Sequence, residues 1–241
     1  MIELQDVRKC FGSQTAVDRL NLNVKPGEVF GFIGPNGAGK TTTIRMIAGV
    51  LMPTEGRIHI CGWDMAEDPI EAKRRIGFIP DRPYLYEKLT ATELLQFIAD
   101  IYGVDAATGR RRAGELLERF RLSTRATDRI EAFSHGMKQR LVMCAALLHD
   151  PDVIVVDEPM VGLDPQGIRM VRDLFRSLAE DGKTVFLSTH TLQLAEDICH
   201  RIGIIHRGRL LAIGTLNELE RTAGVSEADL ERVFFQLTES Q

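Results

Sequence analysis

A glycine-rich run near residue 40 has the composition and spacing of a phosphate-binding loop. Its residues are Gly34, Pro35, Asn36, Gly37, Ala38, Gly39, Lys40, Thr41 and Thr42, and they match G-x-x-x-x-G-K-[ST] at every specified position. Glycines let consecutive backbone N–H groups turn toward anionic oxygens, and the positive end of a following helix dipole strengthens the attraction. Lys40 is expected to reach the β- and γ-phosphates and Thr41 to ligate Mg²⁺. The run therefore predicts binding of a nucleoside triphosphate.

Two consecutive acids, Asp157 and Glu158, follow the apolar run 153–156. A short β-branched run that ends in acids is typical of a central parallel strand whose carboxyl end faces a ligand crevice. At that edge Asp157 is expected to hold Mg²⁺, directly or through water, and Glu158 to polarise the attacking water. The alternative is an acidic pair in solvent at a strand end, which a nearby phosphate loop disfavours.

Buried strands and a helix must position these groups. The apolar run Val29–Ile33 predicts a strand before the loop, and Thr43–Leu51 predicts a helix after it. A second apolar run, Thr184–Thr189, predicts another buried strand. His190 follows that strand and so is expected at the same sheet edge as Asp157. Considered alone, a histidine in this position is more often structural than catalytic.

The middle of the chain has helical periodicity. Thr90 and Glu93 have the spacing of a capping box, and apolar residues follow at helical intervals. A second helix is predicted by Leu116, Leu117 and Phe120. Ser134 is a good N-cap for a third helix, so Gly136 is expected in a first turn whose free N–H groups attract phosphate. On residue chemistry alone, Ser134 could equally be only a helix cap.

The order of these motifs resembles the nucleotide-binding subunit of ABC transporters, and the resemblance covers nearly the whole chain. After the phosphate loop come the signature-like segment Phe133–Arg140, the two acids, the run Gly162–Pro165 and the triplet Ser188–His190. The signature departs from the usual L-S-G-G-Q at three positions, and its form is similar to that of the branch serving ABC-2 type exporters. The resemblance implies an α/β fold: a RecA-like P-loop NTPase core with an antiparallel β-region and a helical sub-lobe.

The resemblance also assigns expected roles to individual residues. It implies that Ser134 and Gly136 contact the γ-phosphate of ATP bound to the opposite subunit, and that Asp164 lies in a loop linking the two subunits. His190 would bond the γ-phosphate and act with Glu158. Phe11 would stack on adenine, the alternative being an ordinary core phenylalanine at a strand end. The partner would be a second copy of the chain or a paralogous ATPase, with ATP and Mg²⁺ between them.

Asp81 is a departure, because the family most often has glutamine after Ile-Gly-Phe-Ile-Pro. Oxygen ligands suit Mg²⁺ whether they come from an amide or a carboxylate. Aspartate is one methylene shorter, however, and its charge would repel the γ-phosphate unless Mg²⁺ or Arg82 compensates. We therefore expect Asp81 to contact the metal through water or to pair with Arg82. The alternative is a turn acid after Pro80.

Composition agrees with a cytosolic ATPase subunit, and the resemblance implies a peripheral place at the cytoplasmic face of a membrane. The chain has 241 residues, of which 44% are hydrophobic, so it can bury one sizeable core. No apolar run approaches the ~20 residues needed to span a bilayer, and the start lacks the regions of a signal peptide. The net charge of −4 gives no reason to expect nucleic acid. Four scattered cysteines without a C-x-x-C pair argue against structural zinc.

We expect one domain, 1–241, with an α/β core (1–88 and 153–214), a helical sub-lobe (89–152) and a C-terminal helical appendage (215–241). The appendage is predicted to contain a helix that starts at 226–229 and carries the apolar stripe Leu230, Val233, Phe234 and Leu237. This stripe could pack on the chain's own core or contact a partner. Tyr84 and Tyr86 could likewise anchor a membrane permease or be core residues of a turn.

The sequence thus predicts an ATPase that dimerises on Mg-ATP and drives a separate permease for export. One alternative is a soluble ABC ATPase working in DNA repair or translation. Such relatives generally carry long coiled-coil insertions or tandem cassettes, and neither is present in this sequence. Another is an ATP-gated module that hydrolyses little, which Glu158 and His190 disfavour.

Overall fold

The computed structural model describes residues 1–160, 162–225 and 230–239. Its strands are β1 (Ile2–Phe11), β2 (Gln14–Val24), β3 (Val29–Ile33), β4 (Glu55–Ile60), β5 (Trp63–Asp64), β6 (Ile76–Ile79), β7 (Val153–Asp157), β8 (Thr184–Thr189), β9 (Arg201–His206) and β10 (Arg209–Gly214). Its α-helices are α1 (Lys40–Ile47), α2 (Pro69–Arg74), α3 (Ala91–Tyr102), α4 (Ala106–Arg119), α5 (His135–Leu147), α6 (Pro165–Glu180), α7 (Leu192–Ile198), α8 (Leu216–Ala223) and α9 (Leu230–Glu239). Two 3₁₀ turns, Ser123–Arg125 and Ile130–Ala132, lie between α4 and α5.

A small antiparallel sheet has the strand order β2-β1-β4-β5. Alternate residues of β1 point inward, and Ile2 and Leu4 are both buried. Ile2 lies opposite Val24 on β2 and Ile60 on β4. The inner face packs against α1 around Ile44. This sheet is the expected antiparallel β-region, and it covers the helix that follows the phosphate loop.

The larger sheet has the order β10-β9-β3-β8-β7-β6 and is parallel except for β10. Every residue of β3, β7 and β8 is buried, as expected for parallel strands covered on both faces. Phe186 on β8 packs between Phe30 and Phe32, with ring centroids 5.6 and 5.4 Å away. The carboxyl ends of β3, β7 and β8 meet at one edge, and the predicted α/β class is confirmed.

Helix α1 does not have the predicted limits 43–51. It begins at Lys40, because the last residues of the phosphate loop motif form its first turn. It ends at Ile47, and Gly49 adopts a left-handed conformation (φ 66°) that stops the helix. Ile44, Ile47 and Ala48 are buried and form its inward face. The short helix α2, with Pro69 at its first position, was not predicted.

The predicted helices between the two parts of the sheet are confirmed. Thr90 and Glu93 form the predicted capping box at the start of α3. Helix α4 begins after Asp105, whose carboxylate accepts hydrogen bonds from two backbone N–H groups. Helices α3, α4 and α5 share one hydrophobic core with β7, in which Leu95 and Leu141 are buried. The helical region is therefore packed directly on the sheet.

The C-terminal helices pack on the chain's own core. A capping box of Thr215 and Glu218 starts α8. The predicted start of the last helix, 226–229, lies outside the described residues, and α9 is described from Leu230. Leu230 and Val233 are buried in a cluster with residues of β3 and β9. The first of the two alternatives for the apolar stripe is therefore correct. No helix in the described ranges is long and apolar enough to cross a bilayer.

Candidate nucleotide site

The phosphate loop joins β3 to α1 and depends on glycine at two positions. A Cβ atom at Gly34 would lie 2.3 Å from the carbonyl oxygen of Ile205, and one at Gly39 would lie 2.6 Å from that of Ala16. Gly39 also has φ of 108°, a conformation that favours glycine. A Cβ at Gly37 would meet no atom within 4 Å. The loop is thus packed tightly against β9 and β2 at Gly34 and Gly39, and it is open to solvent at Gly37.

The first turn of α1 presents donors to this open side. Among the described residues, no acceptor meets the backbone N–H groups of Lys40, Thr41 and Thr42. Lys40 is nearly buried, and its Nζ donates to the carbonyl oxygens of Gly34 (2.6 Å) and Pro35 (3.1 Å). Burial lowers the pKa of Lys40, and the nearby carboxylates oppose that shift. The unpaired backbone N–H groups at the start of α1 and the Lys40 side chain together form a site that can bind an anion.

A cleft of about 480 Å³ extends from the loop to Phe11. Phe11 is 51% exposed, so the alternative of a core phenylalanine is wrong. Its ring lies on the wall of the cleft, and Lys9 Nζ is 5.3 Å from the ring centroid. Arg207, which the sequence analysis did not identify, lines the same cleft from the turn between β9 and β10. An aromatic face and phosphate donors in one cleft suit a nucleotide.

Asp157, the last residue of β7, is only 3% exposed, and its Oδ1 has no hydrogen-bond partner among the described residues. Burial raises the pKa of Asp157. The nearby hydroxyls of Ser188 and Thr41 oppose that rise, whereas the Asp81 carboxylate adds to it. A buried carboxylate oxygen that accepts no hydrogen bond is available to bind a metal. Together with a neighbouring threonine hydroxyl it provides the oxygen ligands that Mg²⁺ prefers. The residues present therefore fit the ion.

Glu158 follows Asp157 and turns away from the strand direction. It adopts a left-handed backbone conformation (φ 49°), which is uncommon for a residue with a side chain, and its N–H donates to Ser188 O at 3.0 Å. Its Oε1 lies 2.8 Å from His190 Nδ1, and Thr189 Oγ1 donates to its Oε2 at 3.4 Å. The His190 side chain is 62% exposed, so it is not a core residue, and its contact with the γ-phosphate stays a prediction.

The signature segment and the acidic loop lie side by side. Ser134 caps α5, its hydroxyl accepting from Met137 N at 3.3 Å, and a Cβ at Gly136 would lie 3.2 Å from Gly162 O. Asp164 caps α6, accepting from Gly167 N at 2.8 Å. In the part of the chain that the structure describes, no hydrogen bond or ion pair joins these residues to the phosphate loop. Their action across a dimer stays a prediction.

Asp81 is half-buried after β6, on a largely apolar groove of about 450 Å³ that Asp157 also lines. The expected ion pair with Arg82 is not formed between the described side chains, and the metal contact stays a prediction. Tyr84 and Tyr86, on the rim of this groove, are 78% and 63% exposed. The alternative that these tyrosines are core residues of a turn is therefore wrong.

Gln139 is a further residue that the sequence analysis overlooked. It is fully buried on α5, and neither atom of its amide group has a hydrogen-bond partner among the described residues. Gln139 precedes the buried Val142 and Met143 by three and four positions, so it lies on the inward face. The helical spacing from Val142 and Met143 could have predicted that Gln139 is buried, although its side chain is polar.

Comparisons with known proteins agree with this geometry. A family model described as "ABC transporter" matches residues 17–161, and one described as "AAA domain, putative AbiEii toxin, Type IV TA system" matches 129–196. The chain is 41% identical to the linearmycin resistance ATP-binding protein LnrL of Bacillus subtilis, over 91% of this chain and 70% of that protein. It is 42% identical to the Nod factor export ATP-binding protein I of Paraburkholderia xenovorans, over 90% and 72%.

Two solved structures share the fold. One, an ATP-binding subunit of an ABC transporter, superposes with a TM-score of 0.94 at 37% identity and covers 98% of this chain and 99% of its own. The other is a dimeric ATP-binding cassette in a post-hydrolysis state, bound to ADP and Pi, with a TM-score of 0.79 at 29% identity over 90% and 99%. The chain therefore belongs to the ABC transporter family, as an ATP-hydrolysing, ATP-binding subunit.

Proposed function

We propose that this chain is the ATPase of an exporter, in which two such subunits close around two Mg-ATP molecules and drive a separate permease. The observation that carries the proposal is the meeting of three groups at one sheet edge. These are the N-terminal donors of α1 with Lys40, the buried unpartnered Oδ1 of Asp157, and the Glu158–His190 contact. Together they supply phosphate binding, a metal ligand and a base.

In this proposal Lys40 and the loop N–H groups hold the phosphates. Thr41 and Asp157 would hold Mg²⁺, and Asp81 would reach it through water. When bound, the ion supplies positive charge at the β- and γ-phosphate oxygens. Glu158 takes a proton from the attacking water, and His190 orients Glu158 through its 2.8 Å contact and faces the γ-phosphate.

Each site is completed by the partner subunit, which is a second copy or a paralogous ATPase. The first turn of α5 contributes Ser134 and Gly136 to the nucleotide of the opposite subunit, and the loop with Asp164 contacts the partner. The exposure of Ser134 and Asp164 supports this arrangement, as does the dimeric structure of the similar cassette. We assign α5 to a sub-lobe, 89–152, beside the core 1–88 and 153–214, with 215–241 as an appendage.

Export is supported by the relatives, whose names refer to linearmycin resistance and Nod factor export. The permease would dock on residues 82–86, beside the groove lined by Asp81. We name these residues, together with the following Glu87 and Lys88, the docking segment. Its exposed Tyr84 and Tyr86 suit an interface anchor. The chain would then lie at the cytoplasmic face of the membrane. A soluble ABC-type ATPase with a non-membrane partner is the alternative, and the relatives' names disfavour it.

The test combines turnover with partner binding. The purified chain should hydrolyse Mg-ATP and dimerise in its presence, as measured by phosphate release and size-exclusion chromatography. Changing Tyr84 and Tyr86 to Ala should release the membrane protein that co-purifies with the tagged chain, without lowering its melting temperature. Phe235→Ala, at an exposed aromatic on α9 (47%), is the control and should retain the complex. Unaltered affinity of the double variant would place the interface elsewhere.

A further inference from the structure

An ion pair joins the docking segment directly to α5, the helix that begins within the signature segment. Lys138 Nζ on α5 lies 2.5 Å from Glu87 Oε1. The Lys138 side chain is only 19% exposed, whereas Glu87 is 53% exposed. Lys138 is one turn from the cap of α5, and its backbone N–H donates to Ser134 O at 2.9 Å. The carboxylate of Glu87 is thus fixed to the same helical turn that carries Ser134 and Gly136.

The backbone of the docking segment is tied to the chain that leads into α5. Glu131 N donates to Glu87 O at 3.0 Å, and Ile130 N donates to Leu89 O at 2.9 Å. A second ion pair, Lys88 to Glu131 at 2.5 Å, is more exposed. These ties end at residue 131, three positions before Ser134. Among the hydrogen bonds and ion pairs of the described residues, the Glu87–Lys138 pair is the one that reaches from the docking segment into α5 itself.

We infer that the Glu87–Lys138 ion pair transmits permease docking to the N-terminal turn of α5. The docking segment and this turn then move as one body. The inference rests on the proposed function, because it needs a dimer in which α5 meets the opposite nucleotide. Glu87 and Lys138 are positioning residues in this scheme and touch neither ATP nor metal. Reciprocity follows: closing the dimer on ATP must alter the docking segment, even without a permease.

The size of the effect is bounded by the exposure of the pair. A partly exposed ion pair contributes up to about 1 kcal/mol, which corresponds to a factor of about five in an equilibrium constant. The amide hydrogens of Leu89 and Glu131 report the opening of this region, since both donate within it, to Tyr86 O and Glu87 O. ATP-driven closure should therefore slow their exchange, and the pair should account for about five-fold of that slowing.

The experiment uses the Glu158→Gln background, in which ATP-bound dimers should accumulate. Hydrogen exchange at residues 86–90 and 129–132 is measured with and without Mg-ATP, and dimers are quantified in the same samples by size-exclusion chromatography. Adding Glu87→Gln should reduce the ATP-dependent slowing about five-fold, and the reversed pair Glu87→Lys with Lys138→Glu should restore it. Arg111→Gln removes an ion pair within α4, between Arg111 and Glu115, and should change nothing.

Two results would overturn the inference while leaving the proposed function intact. One is normal dimer formation with the same ATP-dependent slowing in the parent and the Glu87→Gln variant. The other is a reversed pair that behaves like the single variant, because then the charges themselves do not carry the signal. Absence of ATP-dependent dimers in the parent would instead reject the proposed function and the inference together.

Discussion

Replacing Glu158 with glutamine should separate catalysis from binding. Glutamine has the same size and keeps a hydrogen-bonding oxygen for the neighbouring His190, but it cannot accept a proton from water. The left-handed backbone at this position (φ 49°) is shared by both residues, so the substitution adds little strain. The ATP-binding groups around Lys40 are retained. We therefore expect a folded variant that binds ATP and fails to turn it over.

The substitution should change the rate of hydrolysis far more than the stability of the fold. Loss of a general base lowers the rate by ~10² to 10⁴-fold, which raises the barrier by about 3 to 5 kcal/mol. The Glu158–His190 contact is exposed on the histidine side (62%), so its contribution to folding is at most about 1 kcal/mol. Turnover should therefore fall at least ~100-fold while the free energy of unfolding changes little.

The assay is steady-state phosphate release at saturating Mg-ATP, with nucleotide affinity and thermal unfolding measured on the same samples. Glu180→Gln, on the exposed end of α6, removes one negative charge away from the site and serves as the matched control. ATP-dependent dimers should accumulate in the Glu158 variant and not in the control. Hydrolysis within a few-fold of wild type by a well-folded Glu158→Gln protein would remove Glu158 from the mechanism.

Three further predictions address the loop, the groove and the metal contact. Gly39→Ala places a Cβ 2.6 Å from Ala16 O at φ 108°, so nucleotide titration should show an affinity at least ~10-fold weaker, whereas Gly182→Ala, also at positive φ but with no atom near, should bind normally. Burial lowers the pKa of His149 to about 4, so this histidine takes up a proton at a higher pH in the unfolded chain than in the folded one, and the free energy of unfolding should fall by up to about 2 kcal/mol as the pH drops from 7 to 5. His149→Phe should abolish that loss in thermal unfolding. Asp81→Ala should reduce permease-coupled turnover more than ATP binding, with Asp81→Gln restoring part of it, and equal coupled turnover in all three proteins would show that the position carries no signal.

Much of the site could be predicted because each motif is local and chemically specific. The phosphate loop, the acids after β7 and the caps at Thr90 and Ser134 each combine residue type with short-range spacing, and the structure has them where the sequence indicates. The limits of α1 could not be predicted from apolar periodicity alone. Its first turn consists of polar ligand-binding residues, and Gly49 stops it before the apolar Leu51.

Long-range contacts explain what the sequence left open. The apolar stripe of α9 has the same pattern whether it meets a partner or the chain's own core, and only the fold places Leu230 against residues of β3 and β9. The contact between Glu87 and Lys138 spans 51 positions, and no local pattern indicates it. Asp81 looked able to pair with Arg82 because the two are adjacent in sequence, yet the chain bends at both residues and their described side chains form no ion pair.

The place of β8 in the sheet has a consequence for biosynthesis. Val29 on β3 pairs with Val185, and Asp157 on β7 pairs with Ser188, so β8 separates and supports the two strands that carry the phosphate loop and the acids. A nascent chain that already contains both motifs still lacks the strand between them. The nucleotide site can therefore assemble only after β8, which ends at Thr189, has been made, and until then the exposed edges of β3 and β7 are available for mispairing.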